Sequence, residues 1–126
     1  MQLNFSTSYF ANLKNVPNPL SISGKAPHWY SGPQFKVLAP KWAFFSAYKK
    51  GEIDAIGYTE RYNAEVLAPL DPEEIAERIV ELAGPNATLL CYEKPGDFCH
   101  RRLVAAWLDE RLKIKVPELE VCRVKS

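Results

Sequence analysis

The sequence predicts a three-layer α/β domain with a mainly parallel sheet of about four strands, with residues 1–126 forming a single domain. Three observations lead there. Thr88-Leu89-Leu90-Cys91-Tyr92 is a near-continuous apolar run, which suits a central parallel strand covered on both faces. Strand-like segments are separated by segments of helical periodicity, the pattern of a parallel sheet with helical crossovers. The chain has 126 residues, 47% hydrophobic and 25% charged, which is ordinary for a globular domain and long enough to bury a core.

Taken in order, Gln2-Leu3-Asn4-Phe5-Ser6-Thr7 alternates apolar and polar residues and predicts a first strand. Tyr9, Phe10 and Leu13 follow at helical spacing in a segment that Pro17 and Pro19 keep short. Leu20-Ser21-Ile22-Ser23 predicts a second strand. The stretch from Gly24 to Gln34 is an irregular loop with His28, Trp29 and Tyr30; its rings either face a ligand or pack against the domain. Pro40–Lys50 predicts a helix with proline at its first position, Lys49 and Lys50 at its negative end and Gly51 as a left-handed cap. Trp42, Phe45 and Tyr48 lie three apart there and predict a core face. Tyr58–Leu67 predicts a helix with a poorly marked start. The next helix carries the clearest signals: Asp71 as cap, Pro72 at N1, Glu74 at N3, an apolar face of Ile75, Ile79, Val80 and Leu82, and Gly84-Pro85 as terminator. After the apolar strand, Asp97 predicts the cap of a helix reaching about Leu112, with Leu103, Val104, Trp107, Leu108 and Leu112 as its stripe. Residues 119–124 alternate apolar and polar and predict a last strand near a sheet edge.

Composition excludes some classes. The net charge is +1, so no general case arises for a polyanionic or acidic partner. From His100 onward seven Lys or Arg face four acids, a mild basic tilt that a solvated surface explains. No apolar run approaches the ~18 residues of a membrane helix. The N-terminus lacks a charged stretch followed by an apolar one, so no signal peptide and no membrane association are expected. Three cysteines are too few for a disulfide scaffold, and reduced thiols in a cytoplasmic setting are the default expectation.

The reactive residue types crowd into Cys91–Arg102. In a parallel α/β sheet, ligands bind beyond the carboxyl ends of the strands, where chains turn into helices. The Cys91–Arg102 turn is such a place, as are Ser6–Tyr9 and the start of the Ser23–Trp29 loop. Ser6, Tyr9, Ser23, Trp29 and Arg102 are therefore candidate ligand-binding residues. If Asp97 is the cap, Cys99 sits at the second helical position, near unpaired N–H groups and beside His100, Arg101 and Arg102, surroundings that lower a thiol pKa. The bland alternative is an inert cysteine under the helix. Cys91 is either a small apolar filler, a partner of Cys99 in a redox step, or one ligand of a metal shared with Cys99, His100 and Glu93. Glu93 is placed to act as a base or to pair with an arginine. His100 is a base, a thiolate partner or a brace. Arg101 or Arg102 at a helix start suits a phosphate or carboxylate. Zinc is not expected: Cys-x7-Cys-His is not a recognised ligand spacing, and adjacent helical residues point about 100° apart. No phosphate loop, dinucleotide fingerprint or Cys-x5-Arg loop occurs, so no cofactor is implied.

The run Leu90-Cys91-Tyr92-Glu93, a short turn, then Cys99-His100-Arg101 with Leu103 resembles the hallmark of domain-of-unknown-function family 488. Thr7-Ser8-Tyr9, Ser21-Ile22-Ser23 with Pro27, and Tyr58-x3-Tyr62 follow the family's order of landmarks. The resemblance implies a small Rossmann-like α/β domain and carries the catalytic labels onto Cys91, Glu93, Cys99, His100 and Arg101. One departure stands out: relatives carry an Asp and an Arg on the second strand, where this chain has Ser21, Ser23 and Gly24. The expectation is an enzyme or enzyme-derived pocket for a small anionic ligand, of the nucleotide, nucleoside or nucleic-acid-end class. The alternative is a non-catalytic module that binds nucleic acid or protein, using Trp29 and Tyr30 to stack on bases.

Overall fold

Leu89 and Leu90 are both fully buried although their side chains leave β3 (Thr88–Cys91) on opposite faces. That is possible because β3 is the middle strand. In the computed structural model, which describes residues 2–93 and 98–119, the sheet order is β1-β3-β2, with β1 at Ser6–Tyr9 and β2 at Pro19–Ser21. Both neighbours run parallel to β3, with Thr7 and Leu20 beside Leu89 and with Ser8 and Ser21 beside Leu90. The architecture is thus α/β with a small parallel sheet. Among the described residues it has three strands rather than the four predicted. Residues 120–124 of the expected last strand lie outside the described residues. Glu118 does make an isolated parallel bridge to Thr7, and Gln34 does the same to Ser21, so each outer edge of the sheet meets a short extended segment.

The two faces are covered differently. On the Leu89 side, Leu20 and Ile22 pack with residues of four helices: α1 (Trp42–Lys49), α2 (Ala55–Tyr62), α3 (Pro72–Ala83) and α4 (His100–Leu112). Phe44, Tyr62, Ile79 and Leu108 are fully buried there. On the Leu90 side the cover is Phe10, Val16 and Tyr30. These come from a short 3₁₀ helix (Phe10–Asn15), its C-cap Val16 and the loop after β2. Pro17 and Pro19 keep that helix short, as predicted.

Several elements differ from the sequence prediction. The first strand lies at Ser6–Tyr9, not residues 2–7. Ser6, Thr7 and Ser8 are all buried, which hides the alternation expected of a strand. Burial is tolerated because each hydroxyl is satisfied: Ser6 with Thr88 at 2.8 Å, Thr7 with Glu118 at 2.6 Å, Ser8 with Asn12 at 3.0 Å. Of Trp42, Phe45 and Tyr48, the latter two pack part-buried against the core, while Trp42 is 74% exposed and Phe44 is the fully buried residue of α1. The helix predicted over Tyr58–Leu67 starts at Ala55, where the Asp54 carboxylate accepts the Gly57 N–H at 2.8 Å, and widens into a π-helical turn at Asn63–Leu67. Asp71, Pro72 and Gly84 bound α3 as predicted, and Gly51 has φ 77°. Asp97, the predicted cap of α4, lies outside the described residues; the helix begins at His100 with Cys99 as N-cap. No helix among the described residues is long and apolar enough to cross a membrane.

Tyr62 ties the helical layer to the loop before α1: its fully buried hydroxyl donates to the Leu38 carbonyl at 2.5 Å. Burial, reinforced by Tyr58, holds its phenol well above the usual tyrosine range. Because the acid's pKa is raised in the fold, this stabilisation is full below pH ~10 and is lost as pH rises beyond it. Tyr62→Phe is expected to cost about 1–3 kcal/mol near neutrality, by leaving the carbonyl unpaired. It should also flatten the alkaline limb of a stability-versus-pH curve measured by urea unfolding.

Candidate functional site

The C-terminal ends of β1, β2 and β3 lie at the same end of the parallel sheet, and a cavity of about 610 Å³ opens there. Its floor is made by Ser23 after β2, Cys91 at the end of β3, and Cys99 and His100 at the start of α4. Its walls carry six aromatic rings, Trp42, Phe45, Tyr48, Tyr58, Tyr92 and Phe98, with Lys25, Lys49 and Glu93 among them. The three-apart spacing of Trp42, Phe45 and Tyr48 is therefore the signature of a cavity wall. Around them the rings interlock: Phe98 lies 5.0 Å from Tyr58 and 5.4 Å from Tyr48, and Tyr58 stacks on Tyr62 at 6.2 Å. Burial and the Glu93 carboxylate raise the Tyr58 pKa, so its phenol stays protonated. The Tyr92 hydroxyl donates to the Lys25 carbonyl at 2.6 Å and pins the loop after β2 to the end of β3.

His100 is buried, and its Nε2 lies 2.8 Å from the Ile22 carbonyl. A carbonyl only accepts, so Nε2 carries the proton and Nδ1 keeps its lone pair. Burial pushes the His100 pKa down to about 4; the Ile22 carbonyl opposes this and the Arg101 charge adds to it. The imidazole is therefore neutral at physiological pH. Nδ1 lies 3.9 Å from the Cys99 sulfur. The Cys91 and Cys99 sulfurs are joined in a disulfide, where the sequence predicts reduced thiols. The ligand atoms of Cys91, Cys99 and His100 all lie within 4.8 Å of one another. Cys99 is not inside the helix: its φ of −154° and ψ of 145° are extended, so the 100° step between helical neighbours does not apply.

Arg101 is the largest fully buried side chain, and all three of its guanidinium nitrogens are engaged. Nε and Nη2 donate to the two Glu118 oxygens, each at 3.0 Å, in a bidentate pair. Nη1 donates to the Glu93 carbonyl at 2.7 Å and to the Cys91 sulfur at 3.1 Å. Arg101 is thus placed to orient the floor, and it has no fork left to hold an anion. The Glu93 side chain is part-buried, with a carboxylate oxygen 3.6 Å from Lys49 Nζ.

The other candidates separate clearly. Ser23 reaches the cavity, and its buried hydroxyl has no hydrogen-bond partner. Ser6 sits at the opposite end of β1 and is paired with Thr88. Tyr9 lies behind the floor, its ring 6.0 Å from the Arg101 guanidinium. Trp29 is half-exposed, edge-on to Phe10, and lies outside the cavity; Arg102 is exposed and also outside. Tyr30 is buried against Phe10 and donates to the Pro33 carbonyl, so it offers no face to a base. Sequence reasoning missed Glu118, Lys49, Tyr58 and Phe98. The aromatic stripe carried a signal for the wall, but no local pattern marks Glu118 as the partner of Arg101.

Fold and site together define an α/β protein with a sulfur- and imidazole-floored cavity at the carboxyl end of its sheet. The profile of the Active DUF488-N3 subclade (DUF488-N3a) matches residues 12–112, so the chain belongs to this family. No curated protein and no solved structure matches the chain.

Proposed function

We propose that the chain is an enzyme whose active site is this cavity and whose substrate is a small molecule with a planar ring and an anionic group, of the nucleotide or nucleoside class. The observation that carries this reading is the pairing of an aromatic wall with a reactive floor. Rings at stacking distance from a guest favour a flat heteroaromatic partner, while Cys91, Cys99 and His100 make a redox-active and polarisable floor beneath it. Lys25 and Lys49 supply positive charge at the wall, the role that Arg101 is too fully bonded to fill. The word "Active" in the family's description is in keeping with catalysis. Glu93, screened by Lys49, is the candidate base, and Arg101 is a positioning residue acting through Cys91 and the Glu93 backbone.

Titration calorimetry with nucleosides and nucleoside monophosphates tests the reading. Saturable binding is expected, with the phosphate-bearing forms tighter and Lys49→Gln erasing that difference. Ser23→Ala is expected to weaken binding by about 0.5–1.5 kcal/mol, the usual net value of one hydrogen bond. The same change should leave stability unchanged or raise it, since it removes an unpaired buried hydroxyl. If no member of the panel binds saturably, the reading fails.

A further inference from the structure

We infer that Cys91, Cys99 and His100, once the Cys91–Cys99 disulfide is reduced, form a binding site for a single soft divalent metal ion, zinc being the best match, with a fourth coordination position facing the cavity. The inference stands whichever ligand the cavity takes. Two sulfurs and a ring nitrogen gather within 4.8 Å of one another, and the Cys99 sulfur lies 3.9 Å from His100 Nδ1, close to the separation of two ligands on one tetrahedral ion bonded at about 2.0–2.3 Å to each. All three residues are buried and all three line the cavity. Thiolate and imidazole donors are the set that selects zinc over magnesium or calcium.

Two outer contacts strengthen the case. A metal-bound histidine almost always donates its other ring N–H to a carbonyl or carboxylate, which fixes the tautomer. Here Nε2–H donates to the Ile22 carbonyl, leaving Nδ1 free on the side of the sulfurs. The Arg101 Nη1–H points at the Cys91 sulfur from 3.1 Å, an outer hydrogen bond of the kind that orients a ligand atom. Charge also balances. Arg101 and Glu118 neutralise each other in their bidentate pair, so two thiolates and one dication form a neutral buried group. The Cα atoms of Cys91 and Cys99 are 7.2 Å apart, so once the sulfurs are no longer bonded to each other the backbone holds them at a spacing one ion can bridge. Binding follows reduction of the disulfide by a thiol reductant, which supplies two electrons and two protons; the two thiols then lose their protons to solvent and each sulfur forms one bond to the ion.

The test uses the full chain, reduced and freed of metal, titrated with Co²⁺ under anaerobic conditions. The expected result is a 1:1 complex with the visible bands of a tetrahedral thiolate site, bleached by one equivalent of Zn²⁺. Bound Zn²⁺ should protect Cys91 and Cys99 from alkylation in peptide mapping, a measurement on the unaltered chain. Cys91→Ser and Cys99→Ser should each weaken Co²⁺ binding at least tenfold. Absence of thiolate–cobalt bands in the unaltered chain would overturn the inference, as would equal alkylation of Cys91 and Cys99 with and without Zn²⁺. Neither result bears on nucleotide binding, so the two proposals fail separately.

Discussion

Glu118→Ala is expected to destabilise the protein by about 3–5 kcal/mol, the usual cost of stranding one partner of a buried ion pair. The side chain of Arg101 is 1% exposed and that of Glu118 16% exposed, so water cannot replace the lost carboxylate. Two guanidinium nitrogens would lose their acceptors at once, and Thr7 would lose the acceptor of its hydroxyl. The control is Glu81→Ala. Its pair with Arg78 is more than half exposed on both sides, and its loss should fall within about 0.5 kcal/mol of zero. Urea unfolding of both variants gives the comparison. A cost for Glu118→Ala no larger than that of the control would show that the Arg101 charge is compensated elsewhere.

Leu89→Ala is expected to cost about 2–5 kcal/mol, the range for truncating a large side chain in a packed core. Leu89 is fully buried at the centre of the sheet, flanked by Thr7 and Leu20 and covered by the helical layer. Neighbours on two strands and several helices do not close the void together, since each is held by its own contacts. Thermal or urea unfolding measures the loss. A value under 1 kcal/mol would mean that the helices slide inward and that the layer on this face is loosely packed.

The readable parts of this molecule are those where one local rule dominates. The limits of α3 follow from Asp71, Pro72 and Gly84, each acting on its own backbone. The burial of β3 follows from an apolar run that has nowhere else to go. The location of the site follows from the rule that parallel strands present their carboxyl ends to ligands. The failures occur where distant residues decide. Ser6, Thr7 and Ser8 look like surface residues until Thr88, Glu118 and Asn12 arrive to satisfy them. Trp42, Phe45 and Tyr48 show the periodicity of a buried face, but periodicity cannot tell a core from a cavity wall. The role of Arg101 as an internal clamp depends on Glu118, 17 residues away and beyond the end of α4. Cys99 and His100 converge with Cys91 because Cys99 is extended, a backbone detail that the residue types alone do not dictate.

The position of Glu118 has a consequence for how the molecule can be broken. Between the end of α4 at Leu112 and Glu118 the chain runs through exposed Lys113 and Lys115. A single cut after either lysine, by a protease of trypsin's specificity, would leave every residue of the cavity wall and floor in one fragment. The guanidinium that orients the floor would then be anchored to a peptide no longer covalently joined to it, free to dissociate and leave a buried cation behind. The shape of the cavity floor at one end of the sheet thus depends on an intact backbone some distance from any residue that lines the cavity.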